Sequence, residues 1–95
     1  MTIKHESLGN KGVFSAFIDG KKAGEMTYSV AGPDKIIIDH TDVLEEFKGL
    51  SVGKRILIDG VVQYARENKI KVIPLCPFAK AMFEKLPEIQ DVLSK

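Results

Sequence analysis

The chain has 95 residues, enough for one domain, residues 1–95, with a small core. Its 14 basic and 13 acidic residues leave a net charge of +1, which argues against a general nucleic-acid binder, since such proteins present a basic face. A single cysteine allows no internal disulfide and points to a reducing, cytoplasmic setting, while no apolar run is long enough to span a membrane and Met1 to His5 hold no signal-peptide core.

Residues 2–6 read as a short strand, and Gly9-Asn10-Lys11-Gly12 as a turn. Val13 to Ile18 is β-rich and roughly alternating. Asp19-Gly20-Lys21-Lys22 then reads as a hairpin turn, because Asp-Gly tolerates positive φ. Ala23 to Val30 is the returning strand, with Met26, Tyr28 and Val30 on one face. Gly32-Pro33-Asp34 is the next turn. Ile36-Ile37-Ile38-Asp39-His40-Thr41-Asp42-Val43 begins apolar on both faces, as a central strand does.

Next comes Phe47-Lys48-Gly49-Leu50-Ser51-Val52-Gly53-Lys54-Arg55, a basic, glycine-bearing turn that opens a helical pattern. The first N–H groups of a helix lack partners within it and lie at the positive end of its dipole, so this turn is a ready anion site. The helix runs from Val52 to about Lys69, with Ile56, Leu57, Val61, Tyr64 and Ala65 as its apolar stripe. Gly60 inside that stripe costs roughly 1 kcal/mol relative to alanine, which close packing against the sheet would explain. Lys71 to Cys76 reads as a further strand. Pro77 suits the first turn of a second helix, ending near Leu86 before Pro87. Glu88 to Lys95 fits no single element.

Tight turns make the first four strands antiparallel, whereas a helical crossover makes the fifth parallel to the fourth. The fold class is α/β of the α+β kind: a mixed, mostly antiparallel sheet of about five strands with two main helices. For the turn, a nucleotide P-loop needs four residues between its glycines and then Lys-Ser/Thr. Here three separate Gly49 from Gly53, and Arg55 follows Lys54. A dinucleotide fingerprint needs G-x-G-x-x-G after a parallel βαβ start, and neither is present. A basic turn before a helix is most often only a turn, so the segment by itself leaves a plain connection open.

Lys48-Gly49-Leu50-Ser51-Val52-Gly53 resembles the pyrophosphate-binding motif [RQ]-x-x-G-x-[GA] of the GNAT acetyltransferases. Lysine stands for Arg/Gln, and Ser51 for the first motif glycine. Lysine still carries charge to a phosphate, though less directionally than arginine, and serine suits a helix N-terminus. The order of strand, turn, helix and strand also matches. So do His40-Thr41-Asp42-Val43 before the turn, Pro74-Leu75-Cys76-Pro77-Phe78 after it, and Pro87-Glu88 beyond. These runs are similar to the minimal YjdJ-type branch of that superfamily, over about residues 12–93.

The resemblance implies an acetyl-CoA-dependent N-acetyltransferase with no metal. It places the pyrophosphate on backbone N–H groups of Gly49 through Lys54, with Lys48, Lys54 and Arg55 as further phosphate contacts. The pantetheine arm would pair like an extra strand with Thr41, Asp42 and Val43, where the fourth and fifth strands splay. The thioester would then lie between His40-Thr41 and Cys76, with a strand N–H near Thr41 facing the oxyanion. His40 is the natural base, because histidine is the residue type most used for proton transfer, although a structural, hydrogen-bonded histidine is an equal reading. Glu45 and Glu46 could act through water, but a charged, solvated loop is the stronger reading. Cys76, before a helix N-terminus, is either a small buried hydrophobe or a nucleophile that takes the acetyl group and passes it on. Many relatives use a helical tyrosine to protonate the leaving thiolate, and here Met82 and Phe83 stand near that position. The alternative is an acetyl-CoA/CoA-binding module without turnover.

Larger GNAT proteins wall the acceptor site with helices between their first two strands. Ser7-Leu8-Gly9-Asn10-Lys11 is too short for these, so the acceptor side should be open. It suits a peptide or protein amine, a loosely held small amine, or a second subunit. The expected partners are acetyl-CoA and that amine, with no nucleic acid and no membrane, on a monomer or weak homodimer.

Overall fold

Five strands dominate the computed structural model, which describes residues 1–94. They are β1 (Thr2–Leu8), β2 (Lys11–Ile18), β3 (Lys21–Val30), β4 (Lys35–Val43) and β5 (Lys71–Pro74), side by side in that order. The first three pairings are antiparallel and the last is parallel. The β2–β3 hairpin turns at Asp19 and Gly20, both at positive φ (51° and 81°), as a two-residue turn matching strand twist requires.

Alternation decides which face of the sheet is buried. Phe14 and Ala16 of β2, Met26 and Tyr28 of β3, Ile36 and Ile38 of β4, and Val72 of β5 are all buried in one cluster. Their neighbours Val13, Phe17, Thr27, Ser29, Ile37 and Ile73 are only partly buried. The helices join the cluster through Val52, Ile56, Leu57, Val61, Val62 and Ala65 on one, and Ala79 and Phe83 on the other. The sheet therefore has one packed face and one largely bare face. Only Gly9 and Asn10 separate β1 from β2.

Helix α1 covers residues 52–68, within a residue of the expected end, but it is not uniform. Val52–Arg55 and Gln63–Asn68 are α-helical, while Ile56–Val62 widens into π-helical turns. Within the wide stretch Ile56, Leu57, Gly60, Val61 and Val62 are all buried. More residues per turn let both groups face the sheet, which a regular helix would turn partly away. Gly60 packs as its place in the stripe suggests. A Cβ there would stand 3.0 Å from both Ile3 Cγ2 and Phe14 Cδ1.

Helix α2 spans Pro77–Lys85 and starts on proline, which needs no N–H there. The tail forms a 3-10 turn, Pro87–Val92, and burial of Ile89 and Val92 ties it to the core. Arg66 of α1 secures it, pairing with Asp91 at 2.8 Å and donating to the Glu88 carbonyl. Several strand boundaries shift: β1 runs on to Leu8, Lys11 and Gly12 open β2 rather than forming a turn, and β3 starts at Lys21. β5 ends at Pro74, two residues before Cys76, because Cys76 caps α2 instead. Val30 lies at an exposed strand end, outside the core.

Candidate functional site

β4 outruns its parallel neighbour. Pairing with β5 covers Lys35 to Ile38 and ends with Ile38 opposite Pro74. One further link follows, from the Cys76 N–H to the Ile38 carbonyl at 3.0 Å. Residues 39–43 then continue along β3 alone, so β4 and the chain leading to α2 part at this point. A cleft of about 420 Å³ opens beside the end of β4. It is lined by Val43, by Phe47 and the turn Lys48, Gly49, Ser51, Val52, Gly53 and Lys54, and by Phe78 and Met82 of α2.

The turn is shaped by two left-handed residues. Gly49 has φ +92° with open space about its α-carbon, so glycine is there for the backbone. Ser51 has φ 57° and ψ 34°, and its hydroxyl caps nothing. Serine is thus present as the N-cap residue but not in the capping role the sequence suggests. The position demands a left-handed backbone, which disfavours any side chain by roughly 1–2 kcal/mol. Arg55 N–H donates to the Ser51 carbonyl at 3.0 Å. The N–H groups of Val52, Gly53 and Lys54 precede it and have no carbonyl behind them in the helix. They lead a helix seventeen residues long, counting 52 through 68, whose dipole favours an anion here.

Charged side chains divide around this cleft. Lys54 and Lys48 line it. Lys48 also pairs with Glu45 at 2.9 Å, and that carboxylate raises the lysine pKa. Arg55 instead pairs with Asp59 one turn on, at 2.7 Å. Glu46 pairs with Lys21 at 2.7 Å, so both glutamates of the turn are in surface ion pairs. Leu50 is 56% exposed and Asp42 lines a different, smaller depression with Lys22, Gly24, Glu25 and Leu44.

The register separates the two candidate catalytic side chains. Thr41 pairs with Met26 on the packed face, and its Oγ1 lies 3.2 Å from Cys76 Sγ. Cys76 is only 5% exposed, and Sγ also accepts the Ala79 N–H at 3.4 Å, capping α2. His40 is opposite Thr27, on the bare face, and is exposed. Thr27 Oγ1 donates to its carbonyl at 3.5 Å. A bulge lies just before it: Thr27 faces His40 and Tyr28 faces Ile38, so Asp39 is extra. Asp39 accepts from the Ser29 hydroxyl at 2.6 Å on the same bare face. Thus Thr41 and Cys76 stand together, while His40 looks out from the other side of β4.

Sequence reasoning left out Phe47, Phe78 and Met82 as cleft walls. The spacing of Phe78 and Met82, four apart on α2, puts them on one helix face and was a usable signal. Among the described residues no group of three His, Cys, Asp or Glu side chains is placed to hold a metal, and no helix is long and apolar enough to cross a membrane.

A strand opened at its end, a basic turn leading a helix, and an apolar second helix thus meet around one cleft on a mixed sheet. A profile of the GCN5-related N-acetyl-transferases matches residues 13–92. The solution structure of a GCN5-like protein from Staphylococcus aureus is 38% identical, over 96% of this chain and 87% of that one, with a TM-score of 0.69. A ribosomal-protein-alanine N-acetyltransferase from Brucella melitensis shares the fold at 20% identity and TM-score 0.67, over 81% of this chain and 61% of its own. A GNAT family acetyltransferase from Elizabethkingia anophelis, with acetyl-CoA bound, does so at 15% identity and TM-score 0.64, over 80% and 52%. No curated protein matches the sequence. The chain belongs to the GCN5-related N-acetyltransferase family, and is an N-acetyltransferase by that membership.

Proposed function

We propose that this single-domain chain transfers the acetyl group of acetyl-CoA to an amine in the cytoplasm, as a monomer or weak homodimer. The cofactor occupies the cleft and the amine arrives from the bare face. One observation carries this reading: the parted β4 edge, the free N–H groups leading α1 and the apolar wall of α2 converge on one cleft. The pyrophosphate is held by the N–H groups of Val52, Gly53 and Lys54, with Lys54 and Lys48 adding charge. A hydrogen bond to a charged group contributes roughly 1.5–3 kcal/mol, so three give about 5–8 before the costs of binding. Micromolar affinity needs about 8 net. The pantetheine arm supplies the remainder, pairing with Thr41, Asp42 and Val43 and lying against Phe78 and Met82.

The thioester then reaches the parted edge of β4, beside the contact between Thr41 and Cys76. A backbone N–H near Thr41 stabilises the oxyanion. The amine must be neutral to attack, and His40, exposed on the bare face, takes its proton. The carbon–sulfur bond to CoA breaks as the amide forms. Met82 lines the cleft and has no proton to give. The thiolate leaves on its own acidity and is protonated from water.

A relay through Cys76 is a second route, favoured by its contact with Thr41 at the parted edge. In the relay the Cys76 sulfur bonds the acetyl carbon, the bond to CoA sulfur breaks, and the thiol proton passes to CoA. The amine then takes the acetyl group, and the Cys76 thiol is restored. Intact mass after incubation with acetyl-CoA separates the routes. A gain of one acetyl group that Cys76→Ala abolishes indicates the relay; no gain, with turnover present, indicates direct transfer. His40→Ala should cut turnover on an amine acceptor by about a hundredfold, within the range for general bases. Full turnover would make His40 structural. The absence of a proton donor at Met82 also favours a CoA-binding module without turnover, which CoA binding with no acetylated amine would establish.

A further inference from the structure

We propose that Phe78 positions the bound cofactor, and that residue 53 is glycine because Phe78 lies on it. The proposal rests on the cleft being the CoA site. A glycine in such a turn is ordinarily explained by left-handed backbone or by close approach of the chain to phosphate. The first explanation holds for Gly49, but Gly53 is not among the positive-φ residues. It lies in the first turn of α1, where a helical backbone needs no glycine and fixing one costs more chain entropy than fixing alanine. It is also buried. A Cβ at Gly53 would stand 2.7 Å from Phe78 Cζ, 2.9 Å from Cε2 and 3.4 Å from Cε1. These are ring atoms, held by a residue at the start of a helix, so even alanine requires the ring to move.

The contact joins the two walls of the cleft. Phe78 belongs to α2, one residue after the proline that begins it, while Gly53 belongs to the turn and α1. Both line the cleft, with Met82 one helical turn beyond Phe78. Seated on Gly53, the ring fixes the spacing between α2 and the leading N–H groups of α1. It also removes water from one side of those groups, which strengthens a hydrogen bond to a charged oxygen. Phe78 itself donates nothing to the ligand; it acts through the geometry of the N–H groups and of the arm's apolar wall.

The test is a double-variant cycle read as CoA affinity, with CoA as the probe and amide NMR shifts as the signal. The proteins are the wild type, Gly53→Ala, Phe78→Ala and the pair. Each single change is expected to weaken CoA binding about tenfold, with the pair no weaker than Phe78→Ala within about threefold, as coupled neighbours behave. Equal loss from Gly53→Ala in both backgrounds overturns the proposal and returns Gly53 to direct phosphate contact. Unchanged affinity in Phe78→Ala overturns it also. Phe78→Leu, which keeps most of the apolar volume, guards against a variant that fails to fold. In the ligand-free protein, the Phe78 ring should shift the Gly53 α-protons upfield, and Phe78→Leu should abolish the shift. No such change contradicts the contact itself. A wild-type chain that binds no CoA removes the parent reading, whereas binding with independent effects removes this one alone.

Discussion

Ser51 is the residue that the turn fits least well. Its left-handed backbone, with φ 57°, disfavours a side chain, and its hydroxyl returns no capping bond. Glycine would relieve that strain, against a greater loss of chain entropy on folding. Relief of strain outweighs the added entropy loss, so Ser51→Gly should stabilise the fold by about 0.5–1 kcal/mol and raise Tm by a few degrees. A lower Tm would show that the serine side chain contributes something the geometry does not reveal. His5 shows a different kind of constraint. Its ring stacks on Phe14, with centroids 4.1 Å apart, meets Tyr64 edge-on, and shares a 2.5 Å hydrogen bond with the Tyr28 hydroxyl. Burial holds its pKa below the ordinary 6.5 and, together with Tyr64, pushes that of Tyr28 up. Above 6.5 the imidazole is neutral whether folded or unfolded, and its contribution is complete. Below 6.5 the unfolded chain takes up the proton first, so stability falls with pH until the folded pKa is passed. Between pH 7.5 and 5, roughly spanning that window, denaturant unfolding should show wild type losing more stability than His5→Gln. Equal losses would mean that the ring is not held neutral.

The elements show where local rules yield to packing. Gly60 lies in the wide stretch of α1, where alanine would gain about 1 kcal/mol in helix propensity. Its Cβ would press on Ile3 and Phe14, both 3.0 Å away, and overpacking of this kind costs about 1–3 kcal/mol. Packing should win, so Gly60→Ala should lower stability by about 1 kcal/mol, read as a reduced Tm. A raised Tm would mean that β1 and Phe14 yield freely. The strands, their order and both helices were legible because turn residues and apolar periodicity are local. Asp-Gly marked the hairpin, and Pro77 marked the head of α2. The apolar stripe of α1 was legible too, but its π-helical stretch was not, since the same stripe suits a regular helix. The bulge at Asp39 has no sequence mark either. Its effect is large at the site, because it helps set which face each β4 side chain takes. For that reason His40 and Cys76, both expected beside one thioester, sit on opposite faces of β4. The lining role of Phe78 was legible in its spacing from Met82, whereas its seat on Gly53 depends on how α1 and α2 cross.

At the scale of the molecule, the two faces of the sheet divide the work. The packed face carries the helices, Cys76 and the cleft. The other face presents Asp39 and His40 among half-buried Val13, Phe17 and Thr27. Larger acetyltransferases resembling this chain span more residues; this chain matches 61% of the Brucella melitensis enzyme and 52% of the Elizabethkingia anophelis one. If the amine arrives at the uncovered face as proposed, that face would suit an acceptor that brings its own surface, such as an amine on a peptide or protein, more than a small amine needing an enclosed pocket. The central claim is that acetyl-CoA lies between the end of β4, the head of α1 and α2. Titration with acetyl-CoA while backbone amide shifts are recorded tests it most directly. The account predicts saturable shifts centred on Thr41 to Val43, Gly49 to Lys54, Phe78 and Met82, with Asp39 and His40 less affected. Shifts elsewhere, or none at millimolar acetyl-CoA, would contradict it.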